Sequence, residues 1–248
     1  MLDEELLRYS RQIMLPEMDI AGQQALIHAK VLVVGLGGLG SPAAMYLAAA
    51  GIGSLVLVDD DVVELSNLQR QIAHGADTLG DYKVDSAKQT LLRLNPRVEV
   101  TTIHERLAGA AVDTLVSQCD IVVDACDNFA TRFAVNASCV KFSKPLVSGA
   151  AIRMEGQIIV FNTANAASPC YRCLYSEDIG EDVNCATNGV MAPLVGIIGA
   201  MQAMETIKLL AKIGQSLEGR LLLFDGKTMT WREVKLPKDP QCPVCGSP

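Results

Sequence analysis

From Val31 to Val58 the chain carries no charged residue, yet six of these residues are glycine and one is Pro42. An uncharged run of this length fits either a membrane span or a buried core unit. The glycines, the proline and the three acids that follow at once, Asp59, Asp60 and Asp61, argue for the core unit. Val31–Val34 is wholly apolar and ends at glycine, as a buried parallel strand does. A helix is expected from about Leu39 to Ala50, with Pro42 tolerated in its first turn. Gly51 and Gly53 then break the chain before a second strand, Leu55–Val58.

The alternation repeats. Lys83–Leu94 reads as a helix stopped by Asn95-Pro96, Val98–Ile103 as a strand and Ala110–Ser117 as a helix. Ile121–Asp124 reads as a strand, Asn128–Lys141 as a helix and Leu146–Ser148 as a strand. Such alternation predicts an α/β fold with a doubly wound, mostly parallel, Rossmann-like sheet. Ahead of it, Leu2–Met14 reads as an amphipathic helix with Leu6, Leu7 and Ile13 on one side, ended at Pro16; Ile20–Ala29 reads as a second helix. After Gly156 the pattern changes to a strand-like Gln157–Phe161, a loop-rich stretch from Asn162 to Gly189 and a long apolar helix, Val190–Leu210. Leu221–Asp225 and Met229–Lys235 read as a closing hairpin. The uncharged stretch Val183 to Met204 is interrupted by Asn184, Asn188 and Pro193 and is expected to be a loop and a buried helix. One domain is expected over residues 1–248, with N-terminal helices at 1–29, a doubly wound core at 30–150 and a modified last part at 151–248.

Half of the 248 residues are apolar, enough for a sizeable core and too many for a disordered chain. Aromatics are only 4%, so the core must be aliphatic. The net charge of −7 argues against a general nucleic-acid binder, which would carry a basic stripe. The N-terminus has acids at once and no apolar segment, which predicts no secretory signal and a cytoplasmic protein.

Four constellations carry chemistry. Gly35-Leu36-Gly37-Gly38-Leu39-Gly40 joins a strand to a helix, where backbone N–H groups and the helix N-terminus receive phosphate. Asp59, at the end of the next strand, is placed to hold ribose hydroxyls. The motif leaves open whether the nucleotide is NAD, FAD, S-adenosylmethionine or ATP. Next come Asn67, Arg70 and Lys83, which a triphosphate needs and a dinucleotide dehydrogenase does not; taken alone, Arg70 and Lys83 read as solvated helix-face charges. Third, Asp124-Ala125-Cys126-Asp127-Asn128 ends an apolar strand and opens a helix. A carboxylate there suits Mg²⁺ beside phosphates, or else Asp127 or Asn128 merely caps the helix. Fourth, two C-x-x-C pairs, Cys170 with Cys173 and Cys242 with Cys245, have the pattern of a closed four-thiolate zinc site rather than of redox pairs. Cys119, Cys126 and Cys139 read as small core residues. Cys185 stands in a polar loop, and a loop thiol can be a nucleophile or chemically idle.

RYSRQI, VLVVGLGGLG, VDDDVVELSNLQRQ, DACDN, SGAAIRMEGQ, CYRC, GVMAPLVGIIG and CPVCG follow one another along essentially the whole chain. Together they resemble the E1-like, ubiquitin-activating-enzyme-like adenylyltransferases of bacteria, the MoeB/ThiF family, with the balance of motifs nearer MoeB. The resemblance implies a homodimer that uses Mg-ATP to adenylate the C-terminal Gly-Gly carboxylate of a ubiquitin-like sulfur carrier. The carrier is the MoaD-like small subunit of molybdopterin synthase, in molybdenum cofactor biosynthesis, or alternatively ThiS of thiamine synthesis. Residues 151–248 then become the carrier-binding, zinc-stapled part. Carried over by motif, Arg11 reaches the triphosphate of the neighbouring subunit and Gly38 lies in the nucleotide loop. Asp59 holds the ribose, Asn67, Arg70 and Lys83 contact phosphates, and Asp127 holds Mg²⁺. The four knuckle cysteines hold Zn²⁺, and Cys185 matches a loop cysteine that joins the carrier covalently in ThiF-like members and is dispensable in MoeB-like ones. The sequence ends just after the second knuckle, without the rhodanese domain of some relatives, so a separate sulfur donor is expected. An NAD-dependent oxidoreductase would explain the glycine loop and Asp59 but not Arg70, Lys83 and Asp127; a zinc-stapled module without catalysis is the third alternative.

Overall fold

The computed structural model describes residues 1–176 and 188–246. Eight strands form one sheet: β1 (Lys30–Val34), β2 (Ser54–Val58), β3 (Glu99–Ile103), β4 (Ile121–Asp124), β5 (Leu146–Ile152), β6 (Glu155–Phe161), β7 (Arg220–Asp225) and β8 (Thr230–Lys235). Their order is β3-β2-β1-β4-β5-β6-β7-β8. Strands β1 to β5 pair in parallel, and β5 to β8 pair antiparallel. The parallel part is the doubly wound half that the alternation predicts. Its order reverses between β1 and β4, which opens a crevice at the carboxyl ends of those strands.

The helices in chain order are α1 (Asp3–Arg8), α2 (Ser10–Ile13), α3 (Asp19–His28), α4 (Gly40–Ala50), α5 (Lys83–Leu94), α6 (Ala110–Ser117), α7 (Phe129–Lys141), α8 (Tyr171–Leu174) and α9 (Ala192–Ala211). Side chains alternate across β1: Val31 and Val33 join the core under α4, α5 and α9, while Leu32 and Val34 join the core under α6 and α7. The first core is almost wholly aliphatic, as the low aromatic content predicts; the second departs from that expectation, with Phe161 and Tyr171 buried in it and Phe129, Phe133, Phe142 and Tyr175 packed against it. The β1–α4 junction is tight enough to dictate its sequence. A Cβ on Gly40 would stand 1.8 Å from the Gly35 carbonyl oxygen, so only glycine lets helix and strand approach this closely.

Helix α9 is long and apolar enough to cross a membrane by length and composition. It lies instead along the sheet, with Leu194, Val195 and Ile198 buried. Its polar residues are committed to the fold: the Gln202 amide donates to the Asp124 and Val147 carbonyls, and the Glu205 carboxylate accepts from the Leu217 N–H.

Two elements depart from expectation. The N-terminal helix is broken at Tyr9 into α1 and α2, and Leu6 and Leu7 are exposed rather than packed on a common face. The buried residue is Tyr9, whose hydroxyl accepts from the Asn95 amide at 2.9 Å, while Gln12 donates to Gln23 and to the Ala50 carbonyl. These contacts to distant residues turn the segment inward, which periodicity alone does not reveal. Strand β5 continues past Ser148 to Ile152 because it pairs with β6 along seven residues. The weak strand propensity of Gly149-Ala150-Ala151 is overridden by this pairing.

Candidate functional site

A cleft of about 800 Å³ opens at the carboxyl ends of β1, β2 and β4. Gly37 and Gly38 of the glycine loop, Asp59, Arg70, Lys83 and Asp127 all line it. Residues drawn from three separate motifs thus meet at one place.

The loop is held from three sides. Asp59 Oδ2 accepts from the Leu36 N–H at 2.6 Å, and Oδ1 accepts from the Asp61 N–H at 2.9 Å. Burial raises the Asp59 pKa above its ordinary value, against the opposing pull of Lys83 and of these two N–H groups. On the other side of Leu36, its carbonyl accepts from His74 Nε2 at 2.9 Å when that nitrogen carries the proton, and His74 Nδ1 meets the Ser86 hydroxyl at 3.0 Å. Burial holds the His74 pKa below the usual histidine value, so near neutral pH the ring is uncharged. From the third side Val195 of α9 packs on Gly38; a Cβ there would lie 2.9 Å from its side chain.

Lys83 opens α5 and is buried, with its ammonium 2.7 Å from Asp61 Oδ2. It is therefore not a solvated helix-face charge. Arg70 is half-buried and donates to the Ser66 carbonyl at 3.1 Å. Asn67 stands on the same connection, in a single 3₁₀ turn, outside the cleft lining, with its amide on the Ser66 hydroxyl. Arg11 is exposed on α2 and does not line this chain's cleft.

At the end of β4 the two alternatives for Asp127 and Asn128 separate. Asn128 caps α7, its side-chain oxygen accepting from the Thr131 N–H at 2.9 Å. Asp127 is exposed to the cleft, and among the described residues no hydrogen bond or ion pair takes up its carboxylate. Cys126 is buried, with its thiol 2.7 Å from Asp124 Oδ1. Burial and that carboxylate push the thiol pKa well up, so it is a packed donor and not a nucleophile. Cys119 and Cys139 are also buried. Cys185 lies outside the described residues.

Sequence reasoning missed Arg132, Asp124, Tyr171 and Tyr175. Arg132, Tyr171 and Tyr175 line the cleft, and Asp124 is buried behind it. One signal was available. Arg132 is the fourth residue of α7, where the helix dipole disfavours a cation; a cation in that position needs a specific partner.

The four knuckle cysteines, two at the start of α8 and two in the tail after β8, meet one another. Their sulfurs all lie within 4.8 Å of one another, with Cys170 to Cys242 at 3.7 Å and Cys173 to Cys245 at 3.5 Å. A tetrahedral thiolate site with metal–sulfur bonds of about 2.3 Å spaces its sulfurs by roughly 3.8 Å. The donor set thus fits a metal ion, and none of these cysteines is in a disulfide. The cluster is built into the fold through Asn136 of α7, which accepts from the Tyr171 N–H at 2.8 Å and donates toward Cys170 Sγ at 3.6 Å.

Comparisons with known proteins agree with this architecture. Molybdopterin-synthase adenylyltransferase of Escherichia coli is 51% identical over 245 residues, covering 98% of both chains. The sulfur carrier protein ThiS adenylyltransferase of Escherichia coli is 46% identical, covering 99% of this chain and 97% of that one. Among solved structures, Escherichia coli MccB with ATP superposes with a TM-score of 0.84 at 25% identity, over 96% of this chain and 73% of that one. The ThiF family profile matches residues 9–244. A match over nearly the whole chain, on a sheet and cleft of this kind, establishes that the protein belongs to the ThiF family.

Proposed function

We propose that this chain is the adenylyltransferase of the molybdopterin-synthase small subunit. It transfers the AMP moiety of ATP to the C-terminal Gly-Gly carboxylate of that ubiquitin-like sulfur carrier, with release of pyrophosphate. The observation that carries the reading is the meeting of Gly38, Asp59, Arg70, Lys83 and Asp127 around one cleft, in a chain 51% identical to a named adenylyltransferase of this kind.

The residues divide the work. The glycine loop and the N-terminus of α4 receive phosphate oxygens through backbone N–H groups. Asp59, fixed by two N–H groups, offers its remaining lone pairs to ribose hydroxyls. Arg70 and Lys83 neutralise and orient the triphosphate, Lys83 exchanging Asp61 for a phosphate oxygen. A carrier carboxylate oxygen then attacks the α-phosphorus, a new P–O bond forms, and the bond to the β-phosphate oxygen breaks with release of pyrophosphate. Here catalysis consists of positioning and charge stabilisation. The free Asp127 carboxylate suits Mg²⁺, which when bound supplies positive charge to the triphosphate. Asn67 would join the phosphate contacts as the connection closes on the nucleotide. Arg11, exposed and away from its own cleft, serves the cleft of a partner subunit in a homodimer. The cysteine cluster suits Zn²⁺, which when bound ties the C-terminal tail to the body with no open position for chemistry.

One domain over residues 1–248 is part of the same reading, with 1–29 as N-terminal helices, 30–150 as the nucleotide core and 151–248 as the carrier and zinc part. A cytoplasmic location and a separate sulfur donor complete it. ThiS is the alternative carrier, favoured by the 46% identity to its adenylyltransferase. ATP–pyrophosphate exchange with each purified carrier in turn tests the choice: exchange driven by the molybdopterin-synthase subunit supports it, and exchange driven by ThiS alone reverses it.

A further inference from the structure

Behind the cleft a buried ion pair grips the segment that carries Asp127. The Arg132 guanidinium, with side-chain exposure of 7%, stands 3.7 Å from Asp124 Oδ2, whose side chain is 1% exposed. Arg132 donates from Nε at 3.1 Å and from Nη2 at 2.5 Å to the Cys126 carbonyl, and again from Nη2 at 2.8 Å to the Gly149 carbonyl on β5. Asp124 holds the other end of the same residue, accepting from the Cys126 N–H at 3.2 Å and from its thiol. Ser148 donates to Asp124 Oδ2 at 2.7 Å and so ties the carboxylate to β5. The Tyr171 ring, between the first two knuckle cysteines, lies 5.9 Å from the guanidinium carbon.

We infer that Arg132 is a positioning residue for Asp127: its forked guanidinium clamps the carbonyl of the Cys126–Asp127 peptide and sets the point from which the Asp127 carboxylate enters the cleft. Two parallel N–H donors on one carbonyl resist rotation of that peptide, which a single ammonium cannot do. With Cys126 held at both ends and Asn128 committed to capping α7, Asp127 is the residue between them left to face the ligand. Arg132 lines the cleft floor but is spent on two carbonyls and a carboxylate, so its effect reaches the nucleotide through Asp127.

The inference rests on the reading of Asp127 as the Mg²⁺ ligand, and the test separates the two. ATP binding to the full-length protein is measured by calorimetry across a Mg²⁺ titration and in EDTA. Arg132→Lys keeps a cation opposite Asp124 but loses the fork. The half-saturating Mg²⁺ concentration should rise about tenfold, equivalent to roughly 1.4 kcal/mol, while ATP affinity in EDTA stays within about twofold of the unaltered protein. Asp127→Ala should give a shift at least as large, and adding Arg132→Lys to it should give no further shift, because residues acting through one contact are not additive. Should Arg132→Lys fail to fold, Ser148→Ala loosens Asp124 alone and should shift the Mg²⁺ midpoint in the same direction by less. An unchanged midpoint in a folded Arg132→Lys protein, or in Ser148→Ala if that variant must stand in for it, overturns the inference. So does an equal loss of ATP affinity in EDTA, which would make Arg132 a direct phosphate contact, or a full additional shift in the double variant. An unchanged midpoint in Asp127→Ala would instead remove the Mg²⁺ role of Asp127 itself.

Discussion

The two halves of the sheet reach order by different routes. In the parallel half, β1 to β5 with α4, α5 and α7, most elements follow their neighbours after short connections, the exception being residues 59–82 between β2 and α5, which bring Arg70 to the cleft. Most residues that line the cleft sit within a few positions of a strand end. In the antiparallel half, β5 to β8 with α8 and α9, the decisive contacts span long separations: Cys170 meets Cys242 and Cys173 meets Cys245. The first half is a site assembled from local motifs on a rigid sheet. The second is held by closing a long loop, where a crosslink counts most. Residues of β5 to β8 and Tyr171 also line the cleft, but the phosphate and ribose contacts lie in the first half and the tether in the second, so perturbing one should leave the other largely intact.

The largest expected effect is on the parallel half. Asp127→Ala should lower carrier-dependent pyrophosphate exchange by at least about a thousandfold, roughly 4 kcal/mol in the barrier. Its circular dichroism and melting temperature should stay near those of the unaltered protein, because Asn128 and not Asp127 caps α7. Near-normal exchange by the folded variant would remove Asp127 from the mechanism.

The complementary perturbation strikes the antiparallel half. Elemental analysis should find one zinc per chain, and Cys242→Ser should lose it. Loss of the crosslink should cost several kcal/mol of local stability, on the order of a long-loop closure. Protease should then cut the tail after β8 while nucleotide still binds. Equal loss of nucleotide binding would break the separation of the halves, and absence of zinc would replace the tether with thiol packing alone.

A subtler test concerns Arg11, which the first half lacks in its own cleft. Inactive Arg11→Ala and inactive Asp127→Ala proteins are mixed with subunit exchange verified. If Arg11 acts in trans, one site of each heterodimer has both residues and activity returns in part. Sites that stay dead would place Arg11 with its own chain.

The smallest effect is a pH dependence built into the glycine loop. The His74 pKa is lowered in the folded state by burial, so the unfolded chain takes up the proton first. The stability that neutral His74 contributes is therefore full above the ordinary histidine value of about 6.5 and is lost as pH falls toward the depressed folded value. Melting temperatures of the unaltered protein should drop across that acidic window, and His74→Gln, which keeps a donor for Leu36 without titrating there, should flatten the drop. An identical slope in both proteins would assign the dependence to other groups.

The unequal legibility of the two halves has the same physical origin. Strand β1, the glycine turn, α5 and the place of Asp127 are written in contiguous residues whose periodicity and turn chemistry act locally, and these were readable. The cysteine pairs were readable because thiol spacing is chemically specific. The break at Tyr9 depends on Asn95, and the continuation of β5 depends on β6; neither partner lies within the segment it reshapes. Arg132 was hidden for a related reason: it acts on backbone carbonyls at Cys126 and Gly149, which leave no side-chain signature in sequence. Whether Asp127 or Asn128 capped the helix was open from sequence because both residue types cap well, and only the Thr131 N–H distinguishes them.

The central claim is that the cleft at the carboxyl ends of the parallel strands adenylates a carrier carboxylate. The most direct measurement is exchange of labelled pyrophosphate into ATP by the purified protein, with the molybdopterin-synthase small subunit, with ThiS and with neither, in the presence of Mg²⁺. The account predicts exchange that depends on the small subunit, requires its C-terminal Gly-Gly and vanishes in Asp127→Ala. No exchange with either carrier, from protein that binds ATP, would contradict it.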